Sequence, residues 1–120
     1  MARQILDESR IHPAIRDRIS ALNADIVKEV QEAAAANAVV VVGMRQNPMP
    51  KKARRLLDAA GIPHKDLEYG SYLDGWRRRN ALKMWTGWPT FPMVFVRGVL
   101  VGGASELERL IASGELKEVK

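Results

Sequence analysis

Val39-Val40-Val41-Val42 is an unbroken run of four β-branched residues, and it restricts the fold more than any other feature of the chain. β-Branched side chains are stiff at χ1 and favour extended backbone. Successive side chains of a strand point to opposite faces, so a strand with one face in water alternates apolar with polar residues. This one does not alternate. It reads as a central strand buried on both faces, in a sheet covered by helices on either side.

The segments around it supply those helices. From Ile11 to Ala36 the apolar positions Ile15, Ile19, Leu22, Ile26, Val27 and Val30 recur at three- and four-residue spacing, the period of one helix face. Asn23 or Asp25 marks a break, so the segment is one helix or two. Residues 1–10 are polar and expected to be loosely held. After a loop from Gly43 to Pro50, the apolar positions Ala53, Leu56, Leu57 and Ala60 mark a helix that stops at Gly61, with Pro63 just beyond. His64 to Tyr69 reads as a second strand. Tyr72 to Trp85 reads as a helix opened by Ser71 and Asp74 at capping-box spacing. Pro92 to Val96 and Val99 to Val101 read as a hairpin turning at Arg97-Gly98. Ser105 and Glu108 stand at capping-box spacing for a last helix through Ile111 that stops near Gly114, and a short helical turn is expected from Glu115 to Val119. An alternating start favours a right-handed parallel crossover, and the closing hairpin is antiparallel. The expected fold is α/β: a small four-stranded mixed sheet flanked by helices. Residues 1–36 are expected as an N-terminal helical extension packed on a domain formed by residues 37–120.

Composition narrows the function classes. The 120 residues are 47% hydrophobic and 28% charged, ordinary for a globular domain. No apolar run approaches the ~20 residues of a membrane helix, and the first residues lack the apolar core of a secretory signal, so the expected location is the cytoplasm, with no membrane partner. The net charge is +5. Its two clusters, Lys51-Lys52-Ala53-Arg54-Arg55 and Arg77-Arg78-Arg79, fall in helical segments and read first as solvated helix faces; no nucleic-acid motif accompanies them. There is no cysteine, which excludes disulfides, thiolate metal sites and thiol nucleophiles. His12 and His64 are the only histidines; without ligand-like spacing they argue against zinc and read as surface or loop residues.

Three C-terminal segments stand in a recognisable order: Leu82-Lys83-Met84-Trp85-Thr86-Gly87-Trp88-Pro89-Thr90-Phe91-Pro92, then Val96-Arg97-Gly98-Val99-Leu100-Val101-Gly102-Gly103, then Gly114-Glu115-Leu116. Together they resemble the monothiol glutaredoxins, a branch of the thioredoxin fold, over roughly residues 37–118. The resemblance implies a cis Phe91–Pro92 bond that exposes the Phe91 main chain to an extended cysteinyl peptide, a mode of strand addition. On the residues alone, Pro89 and Pro92 also suit a rigid strand entry. The resemblance further implies that Gly103, Ala104 and Ser105 hold the γ-glutamyl carboxylate of glutathione at a helix N-terminus, and that Thr90, Phe91 and Pro92 line the groove. Arg79 and Lys83 match basic positions that meet the glycyl carboxylate; as plain residues they read equally as solvated helix charges. Relatives often carry a polar or acidic pair where Ala104 and Ser105 stand, and the lost acid weakens the expected contact to the glutathione ammonium group.

The same alignment lays Asn47-Pro48-Met49-Pro50 over the family's Cys-Pro-x-Cys. Asn47 takes the place of the nucleophile, so no catalytic residue is expected, and an iron–sulfur cluster is argued against because an amide cannot ligate it. Asn is a leading N-cap residue and Pro48 then falls at the first helical position. Arg45 stands in for the family's lysine before the active site, which the resemblance implies as a glutathione contact, and with Lys51 and Lys52 reinforces the positive end of the helix. No cofactor is required. The leading expectation, within a family of cell redox homeostasis, is a redox-inactive module that binds glutathione or a peptide segment in the groove beside Phe91 and Pro92. One alternative is an enzyme that borrows the thiol of bound glutathione, in the manner of glutathione transferases. Another is an interaction or regulatory module with the N-terminal helix or the basic faces as its surface, nucleic acid being the less favoured partner; loss of a partner without loss of fold on removing residues 1–35 would implicate the extension.

Overall fold

The computed structural model describes residues 4–21, 24–44, 48–69 and 76–116. After one 3-10 turn, Glu8–Arg10, the elements are helix α1 (Pro13–Ala21), helix α2 (Ala24–Ala36), strand β1 (Val39–Gly43), helix α3 (Pro48–Ala59), strand β2 (Lys65–Glu68), helix α4 (Trp76–Thr86), strand β3 (Met93–Val96), strand β4 (Val99–Gly102) and helix α5 (Ala104–Ser113). The sheet order is β2-β1-β3-β4. β1 runs parallel to β2 and antiparallel to β3, and β3 and β4 form the antiparallel hairpin. This is the thioredoxin-like α/β arrangement expected from the sequence.

All five residues of β1 are buried, and their alternation builds two cores. Val39 and Val41, with Val94 and Val96, pack under Leu57 of α3 and Leu107 of α5. Val40 and Val42, with Met93 and Phe95, pack under Ile26 and Val30 of α2 and Leu82 of α4. Burying each such aliphatic side chain is worth about 1.5–3 kcal/mol before conformational entropy is charged against it. The valine run is therefore unbroken because each half of it faces a different helix layer.

The N-terminal segment divides into two helices on either side of residues 22–23, as the Asn23 signal allows. Its apolar stripe is not buried as one face. Ile26 and Val30 are fully buried, whereas Ile15 and Ile19 on α1 are 44% and 52% exposed. The start expected for the helix after β2, with Ser71 and Asp74, falls outside the described residues, as do residues 117–119 of the expected last turn.

The opening of α5 differs from expectation. Ser105 is not its cap. Gly103 keeps extended backbone, Ala104 is the first helical residue, and Glu106 at the third helical position accepts the Gly103 N–H through Oε1 at 3.0 Å. Ser105 is already inside the first turn, where its hydroxyl cannot close the N-terminus. The other stops follow their glycines. Gly61 and Gly114 have φ of 71° and 81°. The N–H of Ile62 reaches the Leu57 carbonyl, and that of Glu115 the Leu110 carbonyl, the left-handed termination that glycine permits. Arg97 and Gly98 both have positive φ, which matches a two-residue hairpin turn to the strand twist.

His64, on the loop before β2, is not a free surface residue: its side chain is only 10% exposed. Nδ1 lies 2.7 Å from Asp66 Oδ1 and Nε2 lies 2.8 Å from Asp58 Oδ1. Only the imidazolium can donate to both carboxylates. Burial pulls the ring's pKa down, but the hydrogen bonds to Asp58 and Asp66 and their charges outweigh it, and the net shift is upward. The ring ties the last turn of α3 to β2.

Candidate functional site

The strand registers bring three strand ends to one end of the sheet. Val42 of β1 stands opposite Met93 at the start of β3, and Val94 stands opposite Gly102 at the end of β4. The C-terminal end of β1, the entry to β3 and the exit from β4 therefore meet. Above them lie the start of α3, the segment Trp88-Pro89-Thr90-Phe91-Pro92, and the start of α5.

β1 and α3 are locked by contact. A Cβ on Gly43 would lie 2.5 Å from Pro50 Cγ and 2.7 Å from its Cβ, and Pro50 is fully buried. Only a glycine lets the proline ring seat against the strand, and that contact fixes where α3 begins. Pro48 is the first helical residue of α3, the position where a proline's missing N–H is harmless. Arg45, Gln46 and Asn47, including the residue aligned with the family's nucleophile, lie outside the described residues.

The Phe91–Pro92 peptide bond is cis. Phe91 and Pro92 are buried and Thr90 is exposed. Lys83 Nζ stands 5.8 Å from the centroid of the Phe91 ring, within cation–π range. Beside this loop, Gly102 has φ of 118° and Glu106 packed where its Cβ would be, so strain and space both demand glycine. At Gly103 a Cβ would meet the Pro92 carbonyl at 3.4 Å, Glu106 Oε1 at 3.6 Å and Trp88 Nε1 at 3.9 Å. Two backbones thus approach closely, and a carbonyl, a carboxylate and an indole N–H converge on them. Among the described residues Trp88 Nε1 is buried without a hydrogen-bond partner.

Of the residues expected to form a site, Thr90, Phe91, Pro92, Gly103, Ala104 and Ser105 belong to the segments gathered here, and Lys83 reaches them from α4 over the Phe91 ring. Ala104 is buried; Ser105 is exposed and lines a cavity of about 340 Å³ with Lys52, Glu108, Arg109 and Ala112. Lys52 is paired across that cavity with Glu108 at 3.1 Å, so much of its charge is answered locally rather than offered to the start of α3. Arg79 is 6% exposed, and its Nη1 donates to the Tyr69 carbonyl at 3.0 Å. The Tyr69 N–H in turn donates to Gly43 O. Arg79 braces the chain leaving β2 and is not a solvated helix charge. Among the described residues no group of three His, Asp or Glu could hold a metal ion, and no helix is long and apolar enough to cross a membrane.

Sequence reasoning missed two residues here. Glu106 caps α5 and points its carboxylate to Gly103; the signal was a glycine with Glu three residues on, masked by the competing Ser105–Glu108 spacing. Pro50 is a packing partner of Gly43; the signal was a glycine closing an otherwise all-valine strand.

Comparison with known proteins gives a consistent answer. The glutaredoxin family model matches residues 39–101. A glutaredoxin-like protein of Dictyostelium discoideum is 42% identical over 102 residues, covering 85% of this chain and 83% of that protein. That match is longer than the segment from Asn37 to the C-terminus, so it reaches back into the N-terminal helices. The solution structure of reduced glutaredoxin C1 from Populus tremula x tremuloides superposes with a TM-score of 0.72 at 27% identity, covering 84% of this chain and 86% of that one. The crystal structure of a buckwheat glutaredoxin–glutathione complex superposes with a TM-score of 0.71 at 24% identity, covering 82% and 89%. With the family model spanning most of the sheet and a relative of this identity over most of its length, the chain belongs to the glutaredoxin family.

Proposed function

We propose that this cysteine-free glutaredoxin is a binding module that takes glutathione, or a peptide segment of similar backbone, in the groove beside Phe91 and Pro92, and that it does not catalyse thiol–disulfide exchange. The observation that carries the reading is the close approach of the Pro92 carbonyl to the bare Gly103 backbone at the head of α5, in a chain with no cysteine. An extended ligand pairs with the Phe91 main chain. A ligand carboxylate meets the free N–H groups of the first α5 turn, at Ala104 and Ser105. Of the two basic candidates, Lys83 is the better placed for the other carboxylate, since it is partly exposed and stands over Phe91, whereas Arg79 is buried against Tyr69. The buckwheat glutaredoxin solved with glutathione supports that ligand class. Attack on a disulfide needs a thiolate, and this chain has none to offer.

Titration of the isotope-labelled protein with reduced glutathione tests the reading, alongside an assay for reduction of a glutathione mixed disulfide. Saturable amide shifts at Phe91, Gly103, Ala104 and Ser105, with no turnover, are the expected result. Asn47→Cys, which returns a thiol to the aligned position, is expected to form a mixed disulfide with glutathione and serves as the positive control. Turnover by the unmodified protein, or no shifts at millimolar glutathione, overturns the proposal.

A further inference from the structure

The loop that walls the groove, Trp88-Pro89-Thr90-Phe91-Pro92, is held by very little of its own main chain. Pro89 and Pro92 have no N–H to give, so only Trp88, Thr90 and Phe91 carry backbone donors. Among the described residues the loop makes no backbone–backbone hydrogen bond. What it does make is a bond from the Trp88 N–H to Thr86 Oγ1, at 3.1 Å. A loop with so few bonds of its own takes its position from what is attached to it.

Thr86 is the last residue of α4, and its hydroxyl meets more than that N–H. The O–H donates to the Leu82 carbonyl, one turn back, at 2.8 Å, and Oγ1 lies 3.7 Å from Sδ of Met93. A hydroxyl has one proton and two lone pairs. The carbonyl takes the proton, a lone pair takes the Trp88 N–H, and the thioether is a close polar contact. Trp88 opens the loop and Met93 is the first residue after it, so a single oxygen touches both flanks. Gly87, between Thr86 and Trp88, has φ of 77°, and its N–H closes α4 on the Lys83 carbonyl at 2.8 Å. That left-handed residue turns the chain back, and Trp88 then reaches the hydroxyl. A hydroxyl that only finished α4 would need nothing beyond Leu82; here its acceptor side faces the loop.

We propose, on the reading of this groove as a glutathione site, that Thr86 is a positioning residue for it: its hydroxyl pins the loop to the end of α4. Two placements follow from that pin. The Phe91 ring is set under Lys83, which stands on the same helix as Thr86. The Pro92 carbonyl and Trp88 Nε1 are set against Gly103 at the head of α5.

Three variants of the full-length labelled protein test this. Thr86→Val keeps nearly the same shape and removes the hydroxyl. Thr86→Ser keeps the hydroxyl and removes the methyl. His64→Gln lowers stability away from the groove. Two quantities are read: hydrogen exchange of the Trp88 amide without ligand, and the amide-shift titration of Phe91 and Gly103 with reduced glutathione. Thr86→Val is expected to speed Trp88 exchange by about tenfold or more and to weaken glutathione by about fivefold or more, the worth of one intramolecular hydrogen bond. Thr86→Ser is expected to match the parent in both. His64→Gln is expected to lower the urea midpoint in mild acid and change neither, which separates placement from stability. Parental glutathione affinity in Thr86→Val, a Thr86→Ser that behaves like Thr86→Val, or a Trp88 amide that exchanges freely in the parent overturns the proposal. If the parent shows no glutathione shifts, the binding reading falls, and the Trp88 exchange still decides whether the hydroxyl holds the loop.

Discussion

Gly43→Ala is the substitution that most directly tests how the site is held. The added methyl would sit 2.5 Å and 2.7 Å from two carbons of the Pro50 ring, against ~3.5–4.0 Å for comfortable carbon contact. A proline ring has no rotamer by which to retreat, and Pro50 is fully buried, so strand and helix must part by about 1 Å. Overpacking of a close-packed site costs about 1–3 kcal/mol, and the rigidity of both partners puts this case near 3. Urea denaturation reads the cost as a lower midpoint at unchanged slope. Pro50→Gly alone removes three buried ring carbons, at about 0.8 kcal/mol each. In the double variant the new methyl occupies space the ring has left, so the pair is expected to be less destabilised than the sum by about 2 kcal/mol, within the range of contacting residues. A Gly43→Ala protein within about 0.5 kcal/mol of the parent, or strict additivity in the cycle, would refute the interlock and with it the argument that β1 sets the start of α3.

Two further outcomes are expected. The His64 ring has a raised pKa in the folded state, so its contribution is complete below its unfolded value of about 6.5 and is lost as pH rises through the higher folded value; the urea midpoint should fall over that window in the parent and not in His64→Gln, and a parent midpoint that is flat or rises there counts against the clamp. Removing residues 1–12 should leave the urea midpoint nearly unchanged, whereas removing residues 1–36 takes away the buried Ile26 and Val30, each worth about 1.5–3 kcal/mol of burial, and should leave no cooperative transition by circular dichroism; a cooperative, native-like 37–120 fragment would contradict the packing described.

The second outcome bears on how the N-terminal extension packs on the rest of the chain. The buried Ile26 and Val30 make α2 a wall of the core, whereas Ile15 and Ile19 leave α1 peripheral. Much else was legible locally. The valine run, the hairpin glycine and the glycine stops each carry their meaning within a few residues, so the succession of elements along the chain and the helix ends followed. What escaped depended on contacts distant in sequence or on competition between equivalent local signals. Glu106 and Glu108 both suit a capping box, and only the extended backbone of Gly103 decides between them. Arg79 looks like its neighbours in a basic run, and only the fold turns it inward onto Tyr69. His64 lies between two aspartates in sequence as in space, but nothing local says that its ring is shielded from water.

The four valines of β1 carry a further consequence. Sliding the strand by one residue normally exchanges a buried face for a wet one and is rejected for that reason. Here the slide exchanges valine for valine on both faces, so hydrophobicity is indifferent to it along most of the strand. The information that indexes β1 against its neighbours must sit at its end, and Gly43 is the one residue there that a valine cannot replace, since only a bare α-carbon fits under Pro50. The glycine serves as an alignment notch for an otherwise uniform strip, and the helix that fits it is the one leading out of the loop where the family keeps its chemistry.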